Sequence, residues 1–306
     1  QDPADFVLWK PSPPELPGWE SPWGRGRPGW HIECSAMAAQ HLGETFDIHG
    51  GGIDLVFPHH ENELAQSRCA HGGTPFVRYW MHNGYVVVGG EKMSKSLGNF
   101  TTLRALLEEG LRGEAIRLAL LSGHYRAPLD LTRDKIRECE GQLDRLYGAL
   151  RAAGGPDDAA VESGESGEGS ENAGADNAGA EIPDGVMAAL TDDLNTPLAL
   201  AELHELATAL NSAGAPAEKA RLQAQLRAAG RLMGLLQQDP EAWFQGAPAS
   251  ADDSLTPAAI EDLIAQRKAA RAAKDFAEAD RIRDELKDSG VILDDGAAGT
   301  SWKRAR

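Results

Sequence analysis

Cysteine is scarce: the 306 residues hold three, Cys34, Cys69 and Cys139, each far from the others. That is too few and too scattered for a disulfide framework, and it suits a reducing compartment, so a cytoplasmic location is expected. No stretch approaches the roughly 18 consecutive apolar residues of a membrane span, and no secretory leader pattern is present. Positive charge is missing from a long segment, with no Lys or Arg between Arg151 and Lys219. The net charge of −17 argues against nonspecific nucleic-acid binding over the whole surface, although a local RNA site stays open. There is also no initiating methionine and no strand–glycine–helix unit at the start, so the chain is expected to be cut from a longer one.

What is present reads as an ordinary soluble chain, 25% charged and 42% hydrophobic, with length for two or three domains. Prolines at 11, 13, 14, 17, 22 and 28 forbid regular structure, so the opening is expected to be a loop packed through Trp19 and Trp23. Good helix formers run from about Ile32 to Leu42. Thr45–His49 alternates as a short strand and runs into Gly50, Gly51 and Gly52. Glycines directly after a strand are where an α/β sheet binds ligand, and Asp54 beyond them can reach a ribose hydroxyl. A tight turn is the plain alternative. Pro58 fits a first helical position, which would put His59 and Glu63, four apart, on one helix face. An imidazole and a carboxylate so placed, with a thiolate from Cys34, make three of the four ligands of a zinc site. His60 and Glu61 are the spare ligand candidates; the competing reading is a solvated helix start beside a buried free Cys34, with Cys69 a core residue.

The segment Gly89-Gly90-Glu91-Lys92-Met93-Ser94-Lys95-Ser96-Leu97-Gly98-Asn99 carries two lysines three apart, with glycines on both sides. Ammonium groups neutralise phosphate charge, and glycines let backbone N–H groups approach the oxygens. Lys95 and then Lys92 are the candidate phosphate contacts; a solvated turn is the alternative. Beyond it, Ile136, Cys139, Leu143, Leu146, Tyr147 and Leu150 recur at three and four, predicting an amphipathic helix over 132–152. Residues 153–182 have almost no apolar mass and are expected to be a disordered acidic insertion. Helices resume at Val186, break at Asp192–Pro197, where Thr196 can cap, and continue through Leu222–Leu236 to Gln238-Asp239-Pro240. Together with 132–152 they predict an antiparallel bundle. Two further helices, 257–273 and 276–289, lead to Gly290 and a hairpin. Arg267, Lys268, Arg271, Lys274, Arg281, Arg283, Lys303, Arg304 and Arg306 gather there, with Phe276 and Trp302 available to stack on unpaired bases. The alternative is a solvated helix face whose cations pair with nearby acids.

The strings Trp30-His31-Ile32-Glu33-Cys34-Ser35-Ala36-Met37, Asp47-Ile48-His49-Gly50-Gly51, Phe57-Pro58-His59-His60-Glu61-Asn62-Glu63 and Lys92-Met93-Ser94-Lys95-Ser96-Leu97-Gly98-Asn99 resemble, in order, those of cysteinyl-tRNA synthetases. These are class I aminoacyl-tRNA synthetases. The resemblance covers roughly the C-terminal two-thirds of such an enzyme, because the HxGH signature of the first half occurs nowhere in the chain. It implies an α/β fold: a partial Rossmann-like catalytic domain over 1–100 and a stem-contact region over 101–130. A helical bundle over 131–240 and a small α+β anticodon-binding domain over 257–306 would follow. It implies ATP-dependent activation of cysteine and transfer to tRNA(Cys). This chain by itself would be inactive for want of half the active site.

By the same likeness Cys34, His59 and Glu63 are ligands of a zinc that holds the substrate thiol, the fourth being absent, and Trp30 lines the cysteine pocket. Lys95, Lys92, Asp54 and Gly50 are assigned to ATP, with Mg2+, and Arg271, Phe276 and Asp280 to the anticodon. Phe276 stands where the family often has Trp. A monomer without membrane association is expected. Two rivals stay open: the cysteine ligase of mycothiol synthesis, which lacks an anticodon domain, and a noncatalytic tRNA-binding module.

Overall fold

The computed structural model describes residues 6–93, 101–154, 181–246, 255–296 and 299–304. It separates into two compact units, residues 1–100 with 123–131, and residues 101–122 with 132–306. The predicted disorder of 153–182 falls almost wholly outside the described residues.

In the first unit, β1 (Trp9–Pro11) and β2 (Gly26–Pro28) pair antiparallel across the proline-rich opening. Trp19 and Trp23 do not anchor it. They are 60% and 79% exposed, and the loop is instead tied by Arg25, whose guanidinium donates to the carbonyls of Ser12, Pro13 and Leu16. Helix α1 (Ile32–Leu42) matches its predicted bounds. β3 (Phe46–Gly52) is longer than predicted, because the three glycines extend the strand instead of following it. Gly50, Gly51 and Gly52 pair with Met81, His82 and Asn83 of the parallel strand β4 (Val77–Asn83). After a wide turn over Val56–His60, with Phe57 extended, α2 (Glu61–Ala70) begins. Pro58 therefore lies ahead of the helix and is not its first residue. β5 (Val86–Val88) pairs antiparallel with β6 (Glu91–Lys92) and parallel with β7 (Leu129–Asp130). Cys69 on α2 is exposed and not in a core, whereas Cys139 is buried as expected.

The second unit starts with α3 (Leu103–Glu108), capped by the Thr102 hydroxyl, and α4 (Gly113–Leu121). The predicted amphipathic helix is α5 (Arg133–Ala153), and all six of its stripe residues are fully buried. α6 (Asp184–Thr191), α7 (Thr196–Ser212) and α8 (Pro216–Leu232) pack in succession, with α5 against α4 and α7. Asn195, not Thr196, caps α7, since the Thr196 hydroxyl donates instead to the Leu121 carbonyl at 2.8 Å. α8 ends earlier than its leucines suggested. Gly234 and Leu236 have φ values of 70° and 56°, which break the helix while Leu235 and Leu236 stay buried. Asp239 then caps a short helix, α9 (Pro240–Gln245). α10 (Pro257–Ala272), α11 (Phe276–Asp288), β8 (Val291–Gly296) and β9 (Gly299–Arg304) close around Ile260, Ile264, Ile282, Leu286, Val291 and Trp302.

A buried polar cluster joins α4, α5 and the segment after α8. The Tyr147 hydroxyl donates to the Glu114 carboxylate at 2.9 Å and accepts the Gln238 N–H at 3.1 Å. Burial holds this phenol well above its usual pKa, so it stays a donor. Trp243 stacks on Tyr147 at 4.5 Å and donates its indole N–H to Asp144 at 2.7 Å. Tyr147→Phe removes the hydroxyl, leaves the Gln238 N–H without its acceptor and takes one of several donors from Glu114, at an expected cost of about 1–3 kcal/mol in urea unfolding.

Candidate active site and nucleic-acid interface

Glu63 sits on the first turn of α2 and is buried, although it carries a carboxylate. Three elements bring polar groups to it. From α1, the Cys34 thiol comes close enough to the carboxylate for each to shift the other's pKa. From β3, His49 Nε2 lies 3.1 Å from Glu63 Oε2. From the turn before α2, His59 stands close enough to act on the Glu63 charge. Burial raises the Glu63 pKa, opposed by Cys34 and by His59. The Cys34 thiol is also pushed up, first by desolvation and then by the Glu63 charge. Although Cys34 as a residue is exposed, its thiol lies near the carboxylate. Oε2 of Glu63 has no hydrogen-bond partner among the described residues, although His49 Nε2 lies 3.1 Å away.

Five histidines from four segments gather in two groups, one through His59 and one through His49 and His60. His31 and His59 join through Nε2 and Nδ1 at 2.9 Å, and both rings lie against Trp30, at 5.4 and 4.5 Å between centroids. Trp30 itself is 73% exposed, so one of its faces is open. Behind the carboxylate, His60 Nδ1 meets His82 Nε2 at 2.9 Å, and the His49 and His60 rings meet edge-on at 4.4 Å. Desolvation and the neighbouring imidazoles lower the His60 pKa to about 4, so His60 is neutral near pH 7.

Among the described residues, one group of three places its ligand atoms within 4.8 Å of one another: His49, His60 and Glu63. The predicted trio is gathered less tightly. Cys34 and Glu63 are near enough to shift each other's pKa, while His59 lies in the turn outside α2 and bonds His31. The His49 contribution escaped the sequence reading, which held His60 only as a spare candidate. The signal for His49 was the strand register, since the parallel pairing opposes His49 to Trp80 and Gly51 to His82. Gly51 is needed there. A Cβ on it would stand 2.9 Å from Leu55 Cδ1 and 3.0 Å from His60 Cε1.

Asp54 is exposed in the turn Ile53–Leu55, and Gly50 lies inside β3 opposite Met81. Lys95 falls outside the described residues. Lys92 is placed only by its backbone, opposite Val87. The loop they occupy was predicted to hold phosphate, and the described residues do not reach that question.

On the second unit, Arg271, Phe276 and Asp280 lie on α10 and α11. Phe276 is 63% exposed at the start of α11, whereas Trp302 is 1% exposed and donates its indole N–H to Glu261 at 2.7 Å. Trp302 is thus a core residue and is not available for stacking. The arginines are held by acids. Asp295 receives Arg267 at 2.8 Å and Arg271 at 3.3 Å, Arg281 bridges Glu278 and Glu285, and Arg283 bridges Asp280 and Asp284.

Three family models match in sequence order: the tRNA synthetases class I (C) catalytic domain over 1–141, the DALR domain over 185–237, and the Cysteinyl-tRNA ligase anticodon binding domain over 253–302. The chain belongs to the cysteinyl-tRNA ligase family. Proteins named Cysteine--tRNA ligase from Rhodospirillum rubrum and Paramagnetospirillum magneticum are 57% and 58% identical to it, over 100% and 99% of its length. One from Saccharophagus degradans is 56% identical over 98% of the chain. The chain spans 62%, 62% and 61% of the length of these three relatives. A solved ternary complex of an Agrobacterium radiobacter LeuRS with tRNA and LeuAMS aligns with 74% of the chain and 34% of that protein, at a TM-score of 0.50 and 17% identity. That likeness supports the α/β synthetase fold.

Two expectations follow. Gly51→Ala forces His60 and Leu55 to shift, with a loss of about 1–3 kcal/mol in denaturant unfolding, the range for overpacking a filled site. Asp295, held well below the usual carboxylate pKa by Arg267 and Thr300, contributes stability that is present above its unfolded pKa of about 3.9 and is lost as pH falls through the acid range below it. Asp295→Asn therefore lowers the melting temperature near pH 7, and the gap from the parent chain narrows as pH falls below about 4.

Proposed function

We propose that the chain carries the cysteine-recognition and tRNA-binding parts of a cysteine–tRNA ligase, which activates cysteine with ATP and transfers it to the 3′ end of tRNA(Cys). The observation that carries this reading is the buried Glu63 carboxylate, with Cys34 and His59 near enough to act on its charge and Trp30 against His59, in a chain whose relatives bear that enzyme's name. The functional division follows the sequence reading: 1–100 for the catalytic half with its lysine loop, 101–130 for the acceptor stem, 131–240 for the bundle and 257–306 for the anticodon. The match of an anticodon-binding domain over 253–302 disfavours the amino-sugar ligase, which has none.

A zinc ion fits the donor set. Sulfur, imidazole nitrogen and carboxylate oxygen are its usual ligands, and Glu63 Oε2 is a buried acceptor with no hydrogen-bond partner. Cys34, His59 and Glu63 would hold it. Bound zinc prefers thiolate over hydroxyl, which separates cysteine from serine where apolar packing, at about 1–3 kcal/mol per methylene, cannot. Trp30 would wall the amino-acid pocket with its open face. Asp54 would accept a ribose hydroxyl, and Gly50 would allow close approach of the nucleotide. Lys92 and Lys95 would offset the phosphate charge that builds as adenylate forms, with Mg2+ as the nucleotide's companion ion. Catalysis of this kind is positioning and electrostatics, with no covalent enzyme intermediate.

Arg271, Phe276 and Asp280 would meet the anticodon. Phe276 offers a stacking face, while Arg271 and Asp280 would exchange their present partners, Asp295 and Arg283, for bases.

The test is equilibrium dialysis of the full chain with zinc and labelled cysteine or serine. Cysteine is expected to be retained in preference to serine, and Cys34→Ser should remove the preference. Equal retention of the two amino acids by the parent chain would overturn the reading.

A further inference from the structure

The zinc reading above rests on Cys34, His59 and Glu63, and leaves His49 without a role. His49 Nε2 is 3.1 Å from Glu63 Oε2. The His49 ring cannot readily turn away. It sits on β3 with Phe46 and Phe76 each at 5.6 Å, Trp80 at 5.1 Å and His60 edge-on at 4.4 Å. His60 is fixed in turn by its 2.9 Å contact with His82, and it fits only because Gly51 has no side chain. The imidazole is thus held rigidly by the sheet and faces a carboxylate at the start of a helix.

Oε2 is buried and has no hydrogen-bond partner among the described residues, so the fixed His49 ring stands against the carboxylate and leaves a lone pair unfilled. We infer that His49 is a positioning residue for Glu63, holding its carboxylate so that an unfilled lone pair is presented to the zinc. A carboxylate ligand left to rotate would lose orientation each time the site emptied. Removing groups that orient a metal ligand typically costs about 10–100-fold in affinity. This inference depends on the zinc reading, and the experiment separates the two.

Zinc affinity is measured on the full chain by competition with a fluorescent chelator, for the parent, His49→Ala and His49→Gln. Far-UV circular dichroism and melting accompany each variant. His49→Ala is expected to weaken zinc by about 10–100-fold. His49→Gln keeps an N–H donor but no imidazole lone pair, and is expected to recover most of that loss. Parent-like affinity in His49→Ala would overturn the inference and leave the zinc reading standing. Equal loss in both variants with melting unchanged would also overturn it, because His49 would then be a ligand itself. Absence of zinc binding by the parent chain would overturn the zinc reading and this inference with it.

Discussion

A carboxylate taken out of water must find compensation or give up its charge, and Glu63 is the buried case in the first unit. Its surroundings answer that demand with a thiol from α1, an imidazole from β3 and a second imidazole from the turn before α2. None of the three comes from Glu63's own helix. The position of α1 over α2, the parallel register of β3 on β4 and the glycines of β3 all converge on this one side chain. The raised pKa of Cys34 and the lowered pKa of His60 are consequences of the same crowding.

The second unit manages charge differently. Several of its exposed arginines, among them Arg221, Arg281 and Arg283, are matched to carboxylates three or four residues away on the same helix. Such exposed pairs are each worth little, so they tune the surface and do not build the fold. What builds it is apolar burial along α5 and around Trp302, with the Tyr147–Glu114 cluster giving that packing a single arrangement. For an RNA-facing surface, paired arginines carry a consequence. Each must leave a carboxylate before it can meet a base, which penalises partners that do not replace the lost contact.

Much of this was legible in the residues. The stripe from Ile136 to Leu150 could be read as a core helix because a 3.6-residue period leaves one physical solution. The bounds of α1, the hairpin after Gly290 and the family strings were equally direct. The misreadings share a cause. Leu232 and Leu235 fit one helical period, but Leu235 reaches the core only after the helix has ended at Leu232. Trp302 looked like an RNA-stacking ring and is instead the centre of a small core, because a domain of two helices and a hairpin has few other large side chains to fill it. Cys69 sits on the outward side of α2.

By itself, the order of residues determined the family and the helical stripes, and it singled out Cys34, His59 and Glu63 as candidates. These depend on local spacing and on short strings, which a linear reading contains in full. Only the tertiary structure decided that His49 presses on Glu63, that His60 and His82 stand behind it, and that the arginines of the last domain are already paired. Those facts depend on strand register and on which helix faces meet, and distances across elements are set by packing, not by position along the chain.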